Sequence, residues 1–252
     1  ATWAAKGMDN ETAENPYRRR FQDGTSVSVE RERTLITLPV YNEAPHLGQL
    51  INNLRTVTDL DILVIDDGSD DNTPAVLKRA GAPCLRHERN LGKGEALRSA
   101  LKAARAQGYH WMITMDGDGQ HDPAALSEFV RTIRSQQSDF CIGWRQGRSG
   151  TMPPLRQLSN GLSSILLSLF AGTRFHDAQC GFRAYRTALP GLDECRESGF
   201  QYESELLLRL ADHHCRFAEI AISTCYTGSS SRIRHIRDTL AFMRLLWRRL
   251  WW

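Results

Sequence analysis

No run of about 18 apolar residues occurs in the 252-residue chain, so no membrane-spanning helix is expected. The opening residues, ATWAAKGMDN, also lack the apolar core of a signal peptide. The six cysteines, at 84, 141, 180, 195, 215 and 225, form no CxxC pair and no close metal-ligand spacing. Reduced thiols in a cytoplasmic protein are therefore expected, not a disulfide framework. Charge of one sign is scarce as well. A formal net charge of +3 does not call for nucleic acid as a partner. What is present, 41% hydrophobic and 24% charged residues, suits one globular domain of generous size with appendages.

Residues 1–33 are polar and charged without periodicity, and are expected to form a tail that is disordered or orders only against a partner. Within it, YRRRF sets clustered arginine beside aromatics, a pattern suited to anionic lipid headgroups.

From Thr34 short apolar runs alternate with helical segments. TLITLPV reads as a strand, with Pro45 in the first turn of the helix after it. DILVID is a second strand, and the next helix takes Asn72 or Thr73 as its cap, with Pro74 inside the start. CLRH, WMITM and DFCIGW read as further strands, EALRSALKAARAQ as an Ala-rich helix, and Asp122-Pro123 as the opening of another. This alternation predicts βαβ units, an α/β fold and a mostly parallel sheet flanked by helices. The second half is less regular. Helices are expected to end at Gly172, over ESELLLRLADHH, and along RIRHIRDTLAFMRLLWRRLWW. The last of these mixes arginine with Leu, Phe, Met and Trp, which suits either the headgroup region of a membrane or packing against the domain.

In open α/β sheets ligands bind beyond the carboxyl ends of the strands. YNE, DDGSDD, DGDGQ and WRQGR all fall at such ends. The stretch ITMDGDGQHDP is the most telling, because it gathers Asp116, Asp118 and Asp122 just after an apolar run. Carboxylates so close repel one another and need a counter-charge, which a hard divalent cation, Mg²⁺ or Mn²⁺, supplies. A surface loop with Asp122 capping the next helix is the plainer alternative. LGKG is no phosphate-binding P-loop, since the glycine that GxxxxGK[ST] requires is His87 here. The histidines show no ligand spacing; His121, next to the acidic residues, is the best exception.

PVYNEA, VIDDGSDDNT, NLGKGEAL and MDGDGQHDPAAL, in this order, resemble the family 2 glycosyltransferases with a Rossmann-like GT-A fold, and DAQCGFRAYR extends the match to 186. GFQYESELLLRL and SSSRIRHIRDTLAF are similar to the polyprenyl-phosphate sugar transferase branch, which includes dolichyl-phosphate mannose synthase. The resemblance implies a catalytic domain over 34–228 and a C-terminal amphipathic helix over 229–252. It implies a nucleotide-diphosphate sugar donor, a polyprenyl phosphate acceptor, and a peripheral location at the cytoplasmic face of a membrane. Transfer to a hydroxyl acceptor, or a sugar-nucleotide-binding module without turnover, are the alternatives.

Residue by residue, the resemblance places the metal and diphosphate contacts at Asp118, Asp116 and Gln120, with Gly117 and Gly119 allowing close approach of backbone and ligand. Pro39, Tyr41, Glu43, Asp66 and Asp67 match positions that hold the nucleoside; turn formation and capping are the plainer alternative for the two aspartates, but residues 69–72 can meet that need without them. The match leaves uracil and guanine both open as the base. Lys93 flanks the nucleotide site or is simply solvated. Asp177 is the natural general base for a hydroxyl acceptor, or else ties its loop to Arg183. Arg145, Arg232 and Arg156 match basic positions suited to a phosphate acceptor. Glu203 falls at an acidic position of the family that a helix N-terminus also favours. Tyr226 departs from the pattern, standing where the branch often has arginine, and this leaves the sugar nucleotide and lipid open.

Overall fold

The computed structural model describes residues 32–145, 154–223 and 235–251. The five apolar runs become β1 (Thr34–Val40), β2 (Asp61–Asp66), β3 (Cys84–Arg86), β4 (Trp111–Thr114) and β5 (Phe140–Arg145). Two more strands, β6 (Arg183–Arg186) and β7 (Phe217–Ile222), lie in the half of the sequence that reads as irregular. The helices are α1 (Ala44–Val57), α2 (Thr73–Ala80), α3 (Lys93–Ala106), α4 (Leu126–Ser135), α5 (Pro154–Ala171), α6 (Gln201–Asp212) and α7 (His235–Arg249). A 3₁₀ turn at Pro123–Ala125 leads into α4, and the Asp122 carboxylate accepts from the Ala124 N–H at 2.9 Å. The capping reading of Asp122 is the one the structure takes.

The sheet runs β3-β2-β1-β4-β6-β5-β7. All neighbours are parallel except β6, which is antiparallel to both β4 and β5. This α/β sheet with helices around it is the expected class, with one reversed strand added. Its interior strands are apolar on both faces, as helical cover demands. Leu35, Ile36, Leu38, Leu63, Val64 and Ile65 are fully buried, and Leu47, Ile51 and Leu54 of α1 pack into the same core.

The reversal of β6 matters for the site. Its first residue, Arg183, pairs with Thr114 at the carboxyl end of β4 and with Ile142 of β5. The loop that enters β6, residues 177–182, is therefore delivered to the carboxyl ends of its neighbours. Arg183 fixes that loop from below. Its buried guanidinium donates to the carbonyls of Cys180 at 2.7 Å, Ala178 at 2.8 Å and Glu203 at 2.8 Å.

The polar stretch expected to reach residue 33 is anchored before its end. Glu32 accepts from Arg186 at 2.7 Å and from the Trp111 indole at 2.6 Å. On the far edge, Asp139 clamps the start of β7 to β5, accepting from Arg216 N at 2.9 Å, Nε at 3.1 Å and Nη2 at 3.0 Å. Burial alone would raise the Asp139 carboxyl, but the Arg216 hydrogen bonds hold it below its ordinary value. Asp139→Asn is expected to cost about 1 kcal/mol by urea denaturation, allowing for solvent screening at the exposed arginine. Because the folded carboxyl is depressed, this loss should be full above about pH 4 and fade as the pH falls through the lower folded value.

Candidate active site

The loops after β1 and β2 are stitched together by short polar side chains. Asn42 adopts a left-handed conformation, φ 56°, and so meets the 69–71 turn with both backbone and side chain. Its N–H donates to Ser69 Oγ at 2.9 Å, its amide donates to Asp70 at 2.6 Å, and its amide oxygen accepts from Asp70 N at 3.0 Å. Glu43 N donates to Thr73 Oγ1 at 2.9 Å, and Asp71 accepts from Thr73 N at 2.8 Å. Of the two capping candidates for α2, Asn72 holds the cap position without a side-chain bond, and Thr73 is turned to Glu43. Pro39, Tyr41 and Glu43 are partly exposed along this rim.

Asp66 and Asp67 differ sharply. Asp67 is engaged at both oxygens, with His87 Nδ1 at 2.7 Å, Leu91 N at 2.9 Å and Gly92 N at 2.8 Å. It holds the 87–92 segment, which Gly68 admits: a side chain there would come within 2.4 Å of the Arg89 backbone. Asp66 accepts from Ser69 N at 2.9 Å through Oδ1, while its buried Oδ2 pairs with Arg86 Nε at 3.4 Å and makes no hydrogen bond among the described residues.

At the end of β4 the acidic loop meets α3, α6 and the 177–182 loop. Lys93, the first residue of α3, is not solvated. Its ammonium lies 2.6 Å from Asp116 Oδ1 and 2.7 Å from Glu203 Oε2, with 15% of its side chain exposed. Burial alone would lower the Lys93 pKa, and the two carboxylates overturn this and hold it above its ordinary value. Burial likewise favours neutral Asp116, but the Lys93 charge prevails and holds the carboxyl far below the usual range. Asp118 shifts the other way. Burial and then the neighbouring Asp116 charge push its carboxyl up, and its Oδ1 accepts from Gln120 N at 3.0 Å. His121 is buried against Phe182, its Nε2 3.7 Å from Asp116 Oδ2.

The glycines here serve packing. A Cβ on Gly117 would lie 2.4 Å from Val40 Cγ1, so this residue seats the loop on β1. A Cβ on Gly181 would lie 2.4 Å from Asp116 Oδ2. The contact between the acidic loop and the 177–182 loop depends on its absence, and Gly181 is a site residue that the sequence reading passed over inside CGF.

Across the sheet, Asp177 binds Arg145 in bidentate fashion, with Nε to Oδ2 at 2.5 Å and Nη2 to Oδ1 at 2.7 Å. The expected tie to Arg183 is absent; Arg183 binds backbone carbonyls instead. Next to this pair, His176 stacks on Trp144 with ring centroids 4.4 Å apart and bonds Glu219 through Nδ1. Glu219 is on β7, a strand without a legible sequence pattern. Arg232 and Tyr226, and the side chain of Arg156, lie outside the described residues.

Asp116 and Asp118 offer hard oxygens to a divalent cation. The raised Asp118 carboxyl beside a charged Asp116 is the imbalance such an ion relieves. Among the described residues no three His, Cys, Asp or Glu side chains make a ready cluster. The donor set therefore suits Mg²⁺ or Mn²⁺ that keeps waters or takes phosphate oxygens as its remaining ligands.

Gly181→Ala is expected to lose about 1–3 kcal/mol of stability by denaturant titration, as overpacked sites do. Gly161→Ala on α5, with nothing within 4 Å of the new methyl, is the control, expected to be neutral or to gain about 0.5–1 kcal/mol.

The chain has relatives in sequence and neighbours in fold. The chain is 28% identical over 217 residues to the UDP-N-acetylglucosamine–dolichyl-phosphate N-acetylglucosaminyltransferase of Methanococcus voltae, covering 77% of this chain and 86% of the relative. It is 29% identical over 203 residues to the undecaprenyl-phosphate mannosyltransferase of Micrococcus luteus, covering 76% and 83%. Its fold matches the glucosyl-3-phosphoglycerate synthase of Mycobacterium tuberculosis, crystallised with Mn²⁺, UDP and glucosyl-3-phosphoglycerate. The TM-score there is 0.64 at 19% identity, over 88% of this chain and 80% of that one. The family model described as Glycosyl transferase family 2 matches residues 35–189, which run from β1 through β6 and take in both sides of the site. The chain belongs to glycosyl transferase family 2 and is a glycosyltransferase.

Proposed function

We propose that the enzyme transfers a hexose, with inversion, from a nucleotide diphosphate to a polyprenyl phosphate, using Mg²⁺ or Mn²⁺. The observation that carries this choice of acceptor is the Arg145–Asp177 pair. A hydroxyl acceptor must lose a proton, and Asp177, the natural base on this side of the site, has both oxygens on a guanidinium. A phosphate monoester has a second pKa near 6 and is largely dianionic at neutral pH. It attacks without a base. The names of the two relatives above, both polyprenyl-phosphate sugar transferases, support the same choice.

In this reading Pro39, Tyr41 and Glu43 line the nucleoside. Asp66, whose buried Oδ2 lies 3.4 Å from Arg86 Nε without a hydrogen bond, accepts an N–H of the base or an O–H of the ribose. Asp67 acts through the 87–92 segment that it holds. Asp116 and Asp118, with Gln120, would hold the metal, which when bound would supply positive charge against a departing diphosphate. Asp177 keeps the Arg145 guanidinium flat and aimed, so that it draws the acceptor phosphate to the face of the sugar opposite the diphosphate. One acceptor oxygen forms the new bond to the anomeric carbon as the bond to the diphosphate oxygen breaks. The nucleoside diphosphate leaves with that electron pair, and no proton moves.

We place the enzyme at a membrane surface, on the cytoplasmic face. Leu162, Ile165 and Leu169 of α5 are 56%, 60% and 72% exposed and recur on one helix face. Leu240, Met243 and Trp247 of α7, which packs on α5, are exposed in the same rhythm and are followed by Leu250 and Trp251. Neighbouring apolar faces with tryptophan suit the headgroup boundary. Among the described residues no helix is long and apolar enough to cross the bilayer.

The test is turnover of UDP- and GDP-hexoses with Mn²⁺ or Mg²⁺, with and without a short polyprenyl phosphate. Sugar-lipid formation that needs both metal and lipid phosphate is expected. Transfer to a hydroxyl, or nucleotide binding without transfer, would overturn the reading. Asp118→Asn is expected to lower kcat about 100-fold or more, as loss of a charge-stabilising group does. Asp177→Asn, which keeps a hydrogen bond to Arg145, should lower it only about tenfold, whereas loss of a general base costs about 100- to 10,000-fold.

A further inference from the structure

Lys93 is placed with unusual firmness for a lysine. Glycines flank it, and a Cβ on Gly92 would lie 2.5 Å from the Ser198 carbonyl oxygen, and one on Gly94 2.7 Å from that of Glu197. The start of α3 therefore sits directly on the 195–199 segment, where Gly94 N donates to Ser198 O at 2.7 Å. Gly92 N is held from the other side by Asp67 at 2.8 Å. Glu205, fully buried, orders the same segment by accepting from Arg196 N at 2.7 Å and Glu197 N at 2.8 Å. A side chain so anchored has few places to put its charge, and it puts it between Asp116 and Glu203.

We propose that the Lys93 ammonium is a built-in counter-ion of the acidic loop, sharing Asp116 with the metal and thereby weakening the binding of free divalent ion. The inference rests on the reading that Asp116 and Asp118 receive that ion. Lys93 stands between the Asp116 and Glu203 carboxylates and balances negative charge that the ion would otherwise meet unopposed. A divalent ion entering here meets a cation 2.6 Å from one of its own ligand oxygens, and repulsion at that range is strong in a partly buried site. The diphosphate offsets it by adding negative charge of its own. Free metal thus binds weakly, and metal with nucleotide binds well. The second partner of Lys93 gives the device its reach. Glu203 sits on α6, its Oε1 3.7 Å from Arg183 Nε, and Arg183 holds the 177–182 loop. The charge state of the donor side is therefore linked through two ion pairs to the loop that carries Asp177.

The experiment is a Mn²⁺ titration followed by electron paramagnetic resonance, on the full chain, first without nucleotide and then with UDP or GDP. Lys93→Gln should bind free Mn²⁺ about tenfold more tightly or better than the parent, and its melting temperature should rise more on adding Mn²⁺. Glu203→Gln leaves Lys93 entirely to Asp116 and should bind free Mn²⁺ more weakly than the parent. A purely structural role for Lys93 moves both variants in the same direction, toward weaker binding. Unchanged or weaker Mn²⁺ binding in Lys93→Gln, with Glu203→Gln as the folded comparison, overturns the inference and leaves the metal reading standing. No Mn²⁺ binding by the parent, even with nucleotide, overturns both.

Discussion

β6 runs against its neighbours, and that reversal is the constraint on which the site is built. A parallel strand in the same slot would carry its entering loop to the opposite edge of the sheet. Running backwards, β6 brings residues 177–182 to the carboxyl ends of β4 and β5. There Gly181 touches Asp116 and Asp177 takes hold of Arg145. Arg183 secures the arrangement with three backbone carbonyls and sits beside Glu203. The Asp116 and Arg145 sides of the site thus share one short loop.

The electrostatics follow from crowding. Buried carboxylates are costly unless paired, and the chain pairs most of them itself. Asp116 and Glu203 share Lys93, Asp177 has Arg145, and Asp67 has three N–H groups. Two positions at the strand ends stay incompletely satisfied among the described residues. Asp118 is raised by burial and by Asp116, and Asp66 keeps a buried oxygen that has Arg86 at 3.4 Å but no hydrogen bond. These shortfalls are where a cation and a base or ribose donor would add most, because each satisfies a charge or lone pair that the fold leaves open.

The first half of the fold was legible because its strands are continuous apolar runs bounded by turn residues, and α1, α2 and the 3₁₀ turn before α4 carry proline at the start. That pattern also exposed the polar groups at the strand ends, hence the acidic loop and the polar rim after β1 and β2. β6 escaped because four residues with arginine at both ends offer no alternation to read, and RAYR was taken up by the DAQCGFRAYR motif instead. β7, FAEIAI, interleaves alanine and glutamate among its apolar residues and shows no marked run. Pairings between distant residues were equally hidden. Lys93 with Glu203, Asp177 with Arg145 and Gly181 with Asp116 are long-range contacts that only the strand order creates. The closeness of Gly117 to Val40 is a long-range contact of the same kind.

The account turns on an acceptor that needs no base. The most direct measurement is the pH dependence of kcat/KM for sugar transfer to a short polyprenyl phosphate, in the parent and in Asp177→Asn. Attack by a phosphate dianion predicts an acid limb near the second phosphate pKa of about 6, at the same pH in both proteins. An acid limb that belongs to the protein and disappears in Asp177→Asn would show that Asp177 removes a proton, and would contradict the account.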